Sequence, residues 1–386
     1  MRLRSGYRQA GWNGYLRFQR RVVLMPTLPP GLRELLGELF PGSEVSSAVR
    51  LAPDARAGET RKAEGYGEPL RIVLRDSGGH ERSFVFHTAK ADAFGHDRRA
   101  DRAAEELLAF DDFRRIPGHV RAIDVGAIAV DRLASLRNAG EFYLLSEWAP
   151  GDVYALDLRR IAAEGVARES DLARVEALAR YAARLHAEKI ADPDRYRRAV
   201  RDLVGHGEGI FGMVDGYGAD VPAAPPERLR RIEELALEWR WRLRGREDRL
   251  ARTHGDFHPF NVVFSPGGGT GFTLLDASRG CAGDPADDVT AMAVNYVFFA
   301  LPSPGAWERG LSSLWWLFWS TYLEESADGD LDRVLAPWLA WRCLVVASPR
   351  FYPQLPARAR DRMLRLAERA LAAEAFDPAW AGELFS

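Results

Sequence analysis

Lysine is almost absent from this chain: of 53 basic residues, only Lys62, Lys90 and Lys189 are lysines and the rest are arginines. Cysteine is nearly as scarce. Cys281 and Cys343 are the two present, too few for a disulfide framework and suited to a reducing compartment. There is no excess of one charge sign, since 53 basic residues face 55 acidic ones for a formal net charge of -2. Nucleic acid therefore exerts no general electrostatic pull on the chain. Long hydrophobic runs are also missing. The most apolar stretch, 291–301, ends at Pro302 and falls well short of the ~20 residues a membrane span needs. The basic segment 1–21 is interrupted by Arg, Gln and Asn, and 22–25 is shorter than the ~7–15 apolar residues of a secretory signal. These absences predict a cytoplasmic protein with neither a membrane nor a nucleic-acid partner.

What is present is ordinary for a soluble globular protein: 47% hydrophobic and 28% charged residues, which excludes a disordered or collagen-like chain. At ~150 residues per domain, 386 residues predict two domains or one domain divided into lobes. Residues 1–43 read as a basic, aromatic-dotted arm and a short helix over 31–40 that Pro41-Gly42 stops. In 44–148 the period changes. Short strand-like runs are expected at 44–51, 69–75, 81–88, 122–130 and 141–147, with Asp76-Ser77-Gly78-Gly79 as a hairpin turn and one helix over 97–113. Beyond Ala149-Pro150-Gly151 the pattern is helical. Amphipathic helices are expected at 169–189, 226–244, 307–323, 331–347 and 357–373, and the aromatic stripe Trp315, Trp316, Phe318, Trp319 and Tyr322 reads as core packing. One hairpin, 262–264 and 272–275 around a glycine-rich loop, interrupts this run.

The chemistry concentrates around that hairpin. Residues 254–261 read His-Gly-Asp-Phe-His-Pro-Phe-Asn, and Leu274-Leu275-Asp276 closes the second strand. Phosphoryl transfer needs one carboxylate to orient the attacking hydroxyl, and an amide with a second carboxylate to hold Mg²⁺ against the phosphates. The kinase catalytic loop supplies these as Asp-x-x-x-x-Asn followed by an Asp at the end of the next hairpin. Asp256 and Asn261 have that spacing, and the hairpin folds Asp276 back beside Asn261.

This region resembles the aminoglycoside phosphotransferase and choline kinase-like family, of protein-kinase-like fold. The resemblance rests on HGDFHPFN at 254–261, LLD at 274–276, GDPADD at 283–288 and Leu185-His186-Ala187, and it extends over roughly residues 44–375. It implies Asp256 as catalytic base, Asn261 and Asp276 as Mg²⁺ ligands, and Asp288 as a brace on the catalytic loop. His254 reads as a structural histidine anchoring that loop. Kinases also place a lysine on the third sheet strand, paired with a helix glutamate, to hold the phosphates. The matching position here carries His87, with Lys90 near the strand's end. Lys62 lies beside a Gly65-x-Gly67 turn expected over the phosphates, where a compact point charge suits the role. Of two candidate glutamates, Glu106 falls at the edge of the helix's inner face and Glu105 nearly opposite, so Glu106 is preferred.

A formal Gly-x-Gly-x-x-Gly at 207–212 follows no strand and fails the dinucleotide-binding context. The stretch 205–218, including Glu208, reads instead as a loop that lines a substrate or merely connects helices. Arg279, three residues past Asp276, is placed to meet an anionic substrate group or to pair with Asp284, Asp287 or Asp288.

The expectation is therefore an α+β, bilobal protein-kinase-like fold. Its nucleotide-binding sheet lies in 44–148, its hinge at 147–151 includes Glu147, and its catalytic and substrate-binding lobe is 149–386. Mg-ATP would sit between the lobes, and the reaction would be ATP-dependent phosphorylation of a hydroxyl on a small molecule. Two other readings stay open. With His87 at the anchor position, the chain is an inert nucleotide-binding module; with His254, Asp256 and His258 alternating along one strand face, it is a metal-dependent hydrolase.

Overall fold

Leu70, Ile72 and Leu74 are buried at alternate positions of one strand while Arg71 between them and Arg75 just after them are exposed, the period-2 signature of a sheet with one wet face. This strand centres the first of two compact units, which end and begin at Leu144 and Leu145. The structure, a computed structural model, describes residues 27–51, 69–218, 220–277 and 279–386.

In the first unit, α1 (Leu32–Leu39) precedes β1 (Ser43–Arg50), β2 (Leu70–Asp76) and β3 (Glu81–Phe86), which form an antiparallel sheet in that order. Leu32 and Leu36 of α1 join Ala48, Leu70, Ile72 and Leu74 in its core. The β2–β3 turn closes as its residue types require: Asp76 Oδ1 accepts from the backbone N–H groups of Gly78 and His80, both at 2.9 Å, and Gly79 takes φ 82°. Then come α2 (Arg99–Asp112) and a small hairpin of β4 (Gly126–Ile128) and β5 (Leu133–Ser135).

Two of the five expected strands change. The run at 122–130 keeps only the three residues of β4, and 141–147 forms no ladder. Phe142, Tyr143, Leu144 and Leu145 of that second run are exposed. A strand apolar on both faces forms where both faces are covered, and these side chains are not.

The second unit is mostly helical. Its elements are β6 (Asp152–Val153), α3 (Tyr154–Glu164), α4 (Glu169–His186), α5 (Pro193–Gly205), α6 (Ile210–Asp215), α7 (Pro226–Arg242), β7 (Ala251–Arg252), β8 (Val262–Phe264), β9 (Phe272–Leu274), β10 (Ala282–Gly283), α8 (Pro285–Ala300), α9 (Ser312–Ser326), α10 (Leu331–Val334), α11 (Ala336–Ala347), α12 (Ala357–Ala372) and α13 (Trp380–Glu383). Together the two units give the α+β architecture read from the sequence. The expected helix over 331–347 is split at Leu335, because Pro337 cannot donate to the Arg333 carbonyl. The expected loop at 205–218 holds one short helix, α6: Ile210 and Met213 turn into the core, and that burial overrides the weak helix propensity of Gly212. Of the aromatic stripe on α9, Trp315, Phe318, Trp319 and Tyr322 are buried and Trp316 is exposed.

A buried ion network fixes the start of α8. Asp284 caps the helix through Ala286 N at 2.9 Å and receives Arg249 Nε and Nη2 at 2.9 and 3.0 Å, with the Tyr196 hydroxyl donating at 3.0 Å. Arg249 also reaches Asp328 at 2.8 and 2.9 Å. Breaking a buried pair from one side leaves an uncompensated charge and costs about 3–5 kcal/mol. Asp284→Ala is therefore expected to lose stability of that order in a urea melt; a loss below about 1 kcal/mol would show that Asp328 alone satisfies Arg249.

Candidate active site

The loop that carries Asp256 is clamped at its base. β7 and β10 pair through Arg252↔Ala282 and Ala251↔Gly283, which draws the segment after Arg279 against the start of the loop. Asp288, in the first turn of α8, accepts backbone N–H bonds from His254 at 2.6 Å and Gly255 at 2.8 Å, and His186 Nε2 lies 3.2 Å from its Oδ2. Burial alone would raise the Asp288 carboxyl. The His186 ring and the His254 N–H outweigh it and hold the group below the usual carboxylate range. Gly255 has φ 81°, and a Cβ there would stand 2.6 Å from the Gly280 carbonyl oxygen; glycine is what this close approach admits. His254 is buried, and its Nδ1 accepts from Asp256 N at 3.3 Å.

Phe257 is buried and faces Tyr181 and His254 with ring centroids 6.0 and 6.1 Å away, while its neighbour Asp256 keeps a side chain 17% exposed. A 3₁₀ turn over Pro259–Asn261 then returns Asn261 to Asp256: Asn261 Nδ2 donates to the Asp256 carbonyl at 3.1 Å and lies 3.5 Å from both Asp256 Oδ2 and the Asp276 carbonyl. β8 and β9 pair as Val262↔Leu274, and Leu275 N donates to the Asn261 carbonyl at 2.9 Å. The hairpin thus sets Asp276 beside Asn261. Asp276 is exposed and takes φ 47°, a left-handed conformation that aspartate tolerates better than most residues.

This donor set suits a hard cation. With the Asn261 amide nitrogen committed to backbone carbonyls, its oxygen is the free end; among the described residues neither that oxygen nor the Asp276 carboxylate has a protein partner. Amide and carboxylate oxygens are the ligands Mg²⁺ takes alongside phosphate.

The surroundings of Asp256 were only partly legible. Its Oδ1 receives Arg279 Nη2 at 3.0 Å and Arg342 Nη1 at 3.1 Å, and His258 Nε2 is 3.3 Å from Oδ2. Burial alone would raise its pKa. The hydrogen bond from His258 and the charges of Arg342 and Arg279 outweigh it and hold the carboxyl far below its ordinary value. Arg279 also donates to the Gly255 carbonyl and stands 3.7 Å from Asp287. Of its expected acidic partners only Asp287 is near, and Asp256 itself is the main one. Arg342 carries no motif; the one signal for it in the sequence is a single charge inside the apolar run Leu339-Ala-Trp-Arg-Cys-Leu-Val345.

In the first unit, His87 follows the last residue of β3, half exposed, with Nδ1 3.4 Å from Glu106 Oε1. Glu105 lies instead 3.3 Å from His96. The hydrogen bond to Glu106 raises the His87 pKa; partial burial lowers it, and the charges of Glu106 and Glu105 add to the rise. A raised histidine pKa contributes stability that is complete below the ordinary value of ~6.5 and vanishes as pH rises through the raised one. Glu106→Gln is expected to bring the His87 titration, followed by NMR of its ring protons, back toward ~6.5. Its stability deficit should stay under about 1 kcal/mol because the pair is half exposed, and should appear at pH 6 and not at pH 9. An unmoved midpoint would assign the shift to another group.

Lys90 is exposed, as are Glu147 and Glu208. Glu147 belongs to the second unit, and the Glu208 carbonyl accepts from Trp341 Nε1 at 2.7 Å. Lys62, Gly65 and Gly67 lie outside the described residues.

The Phosphotransferase enzyme family matches residues 71–312, more than half of the chain, and the chain belongs to it. The protein-kinase-like fold read from the sequence is the fold of this family. No curated protein matches. Solved structures similar to this chain include a glucosamine kinase (16% identity, 89% of this chain and 98% of the other, TM-score 0.39). They also include an aminoglycoside-3'-phosphotransferase of type VIII (22%, 82% and 96%, TM-score 0.33) and choline kinase LicA from Streptococcus pneumoniae (12%, 88% and 97%, TM-score 0.33). At these scores the likenesses carry no argument about the site.

Proposed function

We propose that this chain is a cytoplasmic, ATP-dependent phosphotransferase acting on a hydroxyl of a small molecule. The observation that carries the reading is the meeting of Asp256, Asn261 and the hairpin-borne Asp276 in one local unit, within a chain of the phosphotransferase family. Asp256 accepts a hydrogen bond from the acceptor hydroxyl, aims its oxygen at the γ-phosphorus and takes the proton as the new O–P bond forms and ADP leaves. Asn261 and Asp276 would hold Mg²⁺, which when bound neutralises charge on the phosphate oxygens. Asp288 and His254 keep the loop in place through the backbone bonds described above. In the first unit His87, paired with Glu106, and Lys90 are the candidates for the phosphate contacts, with Lys62, Gly65 and Gly67 as the sequence-based candidates beside them. Glu147 is assigned to the adenine side and Arg279 and Glu208 to the acceptor side.

The hydrolase reading finds no support, because among the described residues no group of three or more His, Cys, Asp or Glu side chains is placed to hold a metal. The inert-module reading rests on His87 alone. Incubating the purified chain with Mg-ATP and a panel of sugars, amino alcohols and aminoglycosides separates the two. ADP release with a product heavier by one phosphoryl group supports the enzyme, whereas tight Mg-ATP binding with no transfer to any acceptor or to water supports the inert module.

A further inference from the structure

We propose that Arg342 is a positioning residue for Asp256: by holding Oδ1 it leaves Oδ2 as the oxygen that meets the acceptor hydroxyl. This rests on the phosphotransferase reading of the same site. Arg342 sits on α11, more than eighty residues from the catalytic loop, yet its side chain is only 8% exposed. It bridges two carboxylates, with Nη1 3.1 Å from Asp256 Oδ1 and Nη2 2.7 Å from Asp287 Oδ1. Its guanidinium carbon stands 4.0 Å from the ring centroid of Trp341, and Trp341 is itself anchored by its indole N–H on the Glu208 carbonyl. Three elements therefore converge on one oxygen: the catalytic loop, the first turn of α8 through Asp287, and α11.

The two oxygens of Asp256 are not equivalent as a result. Oδ1 carries both guanidinium contacts, from Arg342 and from Arg279 at 3.0 Å. Oδ2 carries only the longer approaches of His258 Nε2 at 3.3 Å and Asn261 Nδ2 at 3.5 Å. A hydroxyl donor competes poorly for an oxygen already holding two guanidinium donors and better for one approached by a single imidazole at 3.3 Å. Arg342 also differs from Arg279 in how it is held. Arg279 belongs to the loop that follows the hairpin, whereas Arg342 is fixed in a helix whose buried neighbours include Leu339, Cys343 and Leu344. Its buried Nε has no partner, a feature it shares with Arg279 Nε, so the residue retains an unsatisfied donor while its Nη atoms hold the two carboxylates. An arginine kept at that cost, with both carboxylate contacts on its terminal nitrogens, fits the setting of one side-chain angle of Asp256. Misplacement of a reacting group by about 1 Å costs on the order of 10²-fold in rate.

The test uses the full chain and compares Arg342→Met, Arg342→Lys and the double variant Arg342→Met/Asp287→Asn, which removes both buried partners together. Phosphate release from Mg-ATP with water as acceptor is the common readout, alongside any acceptor the panel reveals, and the affinity for a non-hydrolysable Mg-ATP analogue is measured for each. The expected result is a fall in kcat of ~10²-fold for Arg342→Met and for the double variant, a KM for ATP and an analogue affinity within a few fold of the intact chain, and a smaller fall for Arg342→Lys. In a fourth variant, Arg342→Ala, whose lost atoms ethylguanidinium replaces, millimolar ethylguanidinium should restore part of the turnover, and it should restore none of that of Arg342→Lys. Unchanged kcat in a folded Arg342→Met or double variant overturns the inference and leaves the phosphotransferase reading standing. A parallel loss of analogue affinity, or loss of the fold in every variant without ethylguanidinium rescue, makes the residue structural and overturns it as well. An intact chain that neither binds the analogue nor turns over ATP removes both readings at once.

Discussion

Replacing Asp256 by asparagine is expected to lower phosphoryl transfer by ~10²–10⁴-fold, the contribution of a positioned general base, while Mg-ATP affinity stays within a few fold. The substitution preserves shape and removes one charge. What it does to the site follows from the contacts of the carboxylate. Two guanidinium groups donate to Oδ1, so an asparagine must turn its amide oxygen toward them, since its NH₂ group cannot accept from either. The NH₂ then takes the place of Oδ2 and faces the incoming hydroxyl as a donor, with nothing to receive its proton. The surrounding frame does not depend on the lost charge: Asn261 still donates to the residue 256 carbonyl, and Asp288 still holds the loop through His254 and Gly255. The measurements are kcat for an acceptor found in the panel, or phosphate release to water, and calorimetric affinity for Mg-ATP. Lost nucleotide binding with full turnover per bound complex would take the base role away from Asp256.

The parts of this site that were legible in the sequence are those built by local chain geometry. The spacing from Asp256 to Asn261 is one turn of loop, and the hairpin register that returns Asp276 to Asn261 follows from two short apolar runs about a glycine-rich connection. The bracing of the loop by Asp288 came only through family resemblance, because it spans 34 residues and two elements. Arg342 was not legible at all. Its contact with Asp256 crosses 86 positions and depends on how α11 packs in the second unit, which no local pattern encodes. The same division holds for the fold. β1, β2 and β3 alternate and were read within two residues of their ends, whereas the apolar run at 141–147 carries strand-type residues without a ladder, because strand propensity reports fit to a half-buried surface and not an intrinsic backbone choice. The helix α6 is not legible locally, since the glycines around and within it argue against a helix and only tertiary burial of Ile210 and Met213 favours it.

Asp276→Asn is expected to weaken Mg-ATP binding by at least ~10-fold, the lower end of what loss of a metal-site partner costs, and to leave the affinity for metal-free adenosine unchanged. Asparagine is the variant to use. Residue 276 has φ 47°, a conformation that costs most L residues roughly 1–2 kcal/mol and that Asn and Asp adopt more readily; an alanine here would mix backbone strain with the loss of the ligand. The amide keeps one hard oxygen and removes the charge, so the effect falls on the cation and not on the hairpin, whose register is held by Val262↔Leu274 and by Leu275 N on the Asn261 carbonyl. Asn261 keeps its orientation as well, because it donates to the backbone carbonyl of residue 276 and not to its side chain. The loss should therefore appear in titrations with Mg²⁺ present and disappear when the cation is chelated, where intact chain and variant should bind ATP alike. Equal weakening of adenosine and Mg-ATP, or a deficit that survives chelation, would show that Asp276 supports the fold of the nucleotide site and does not ligate the ion.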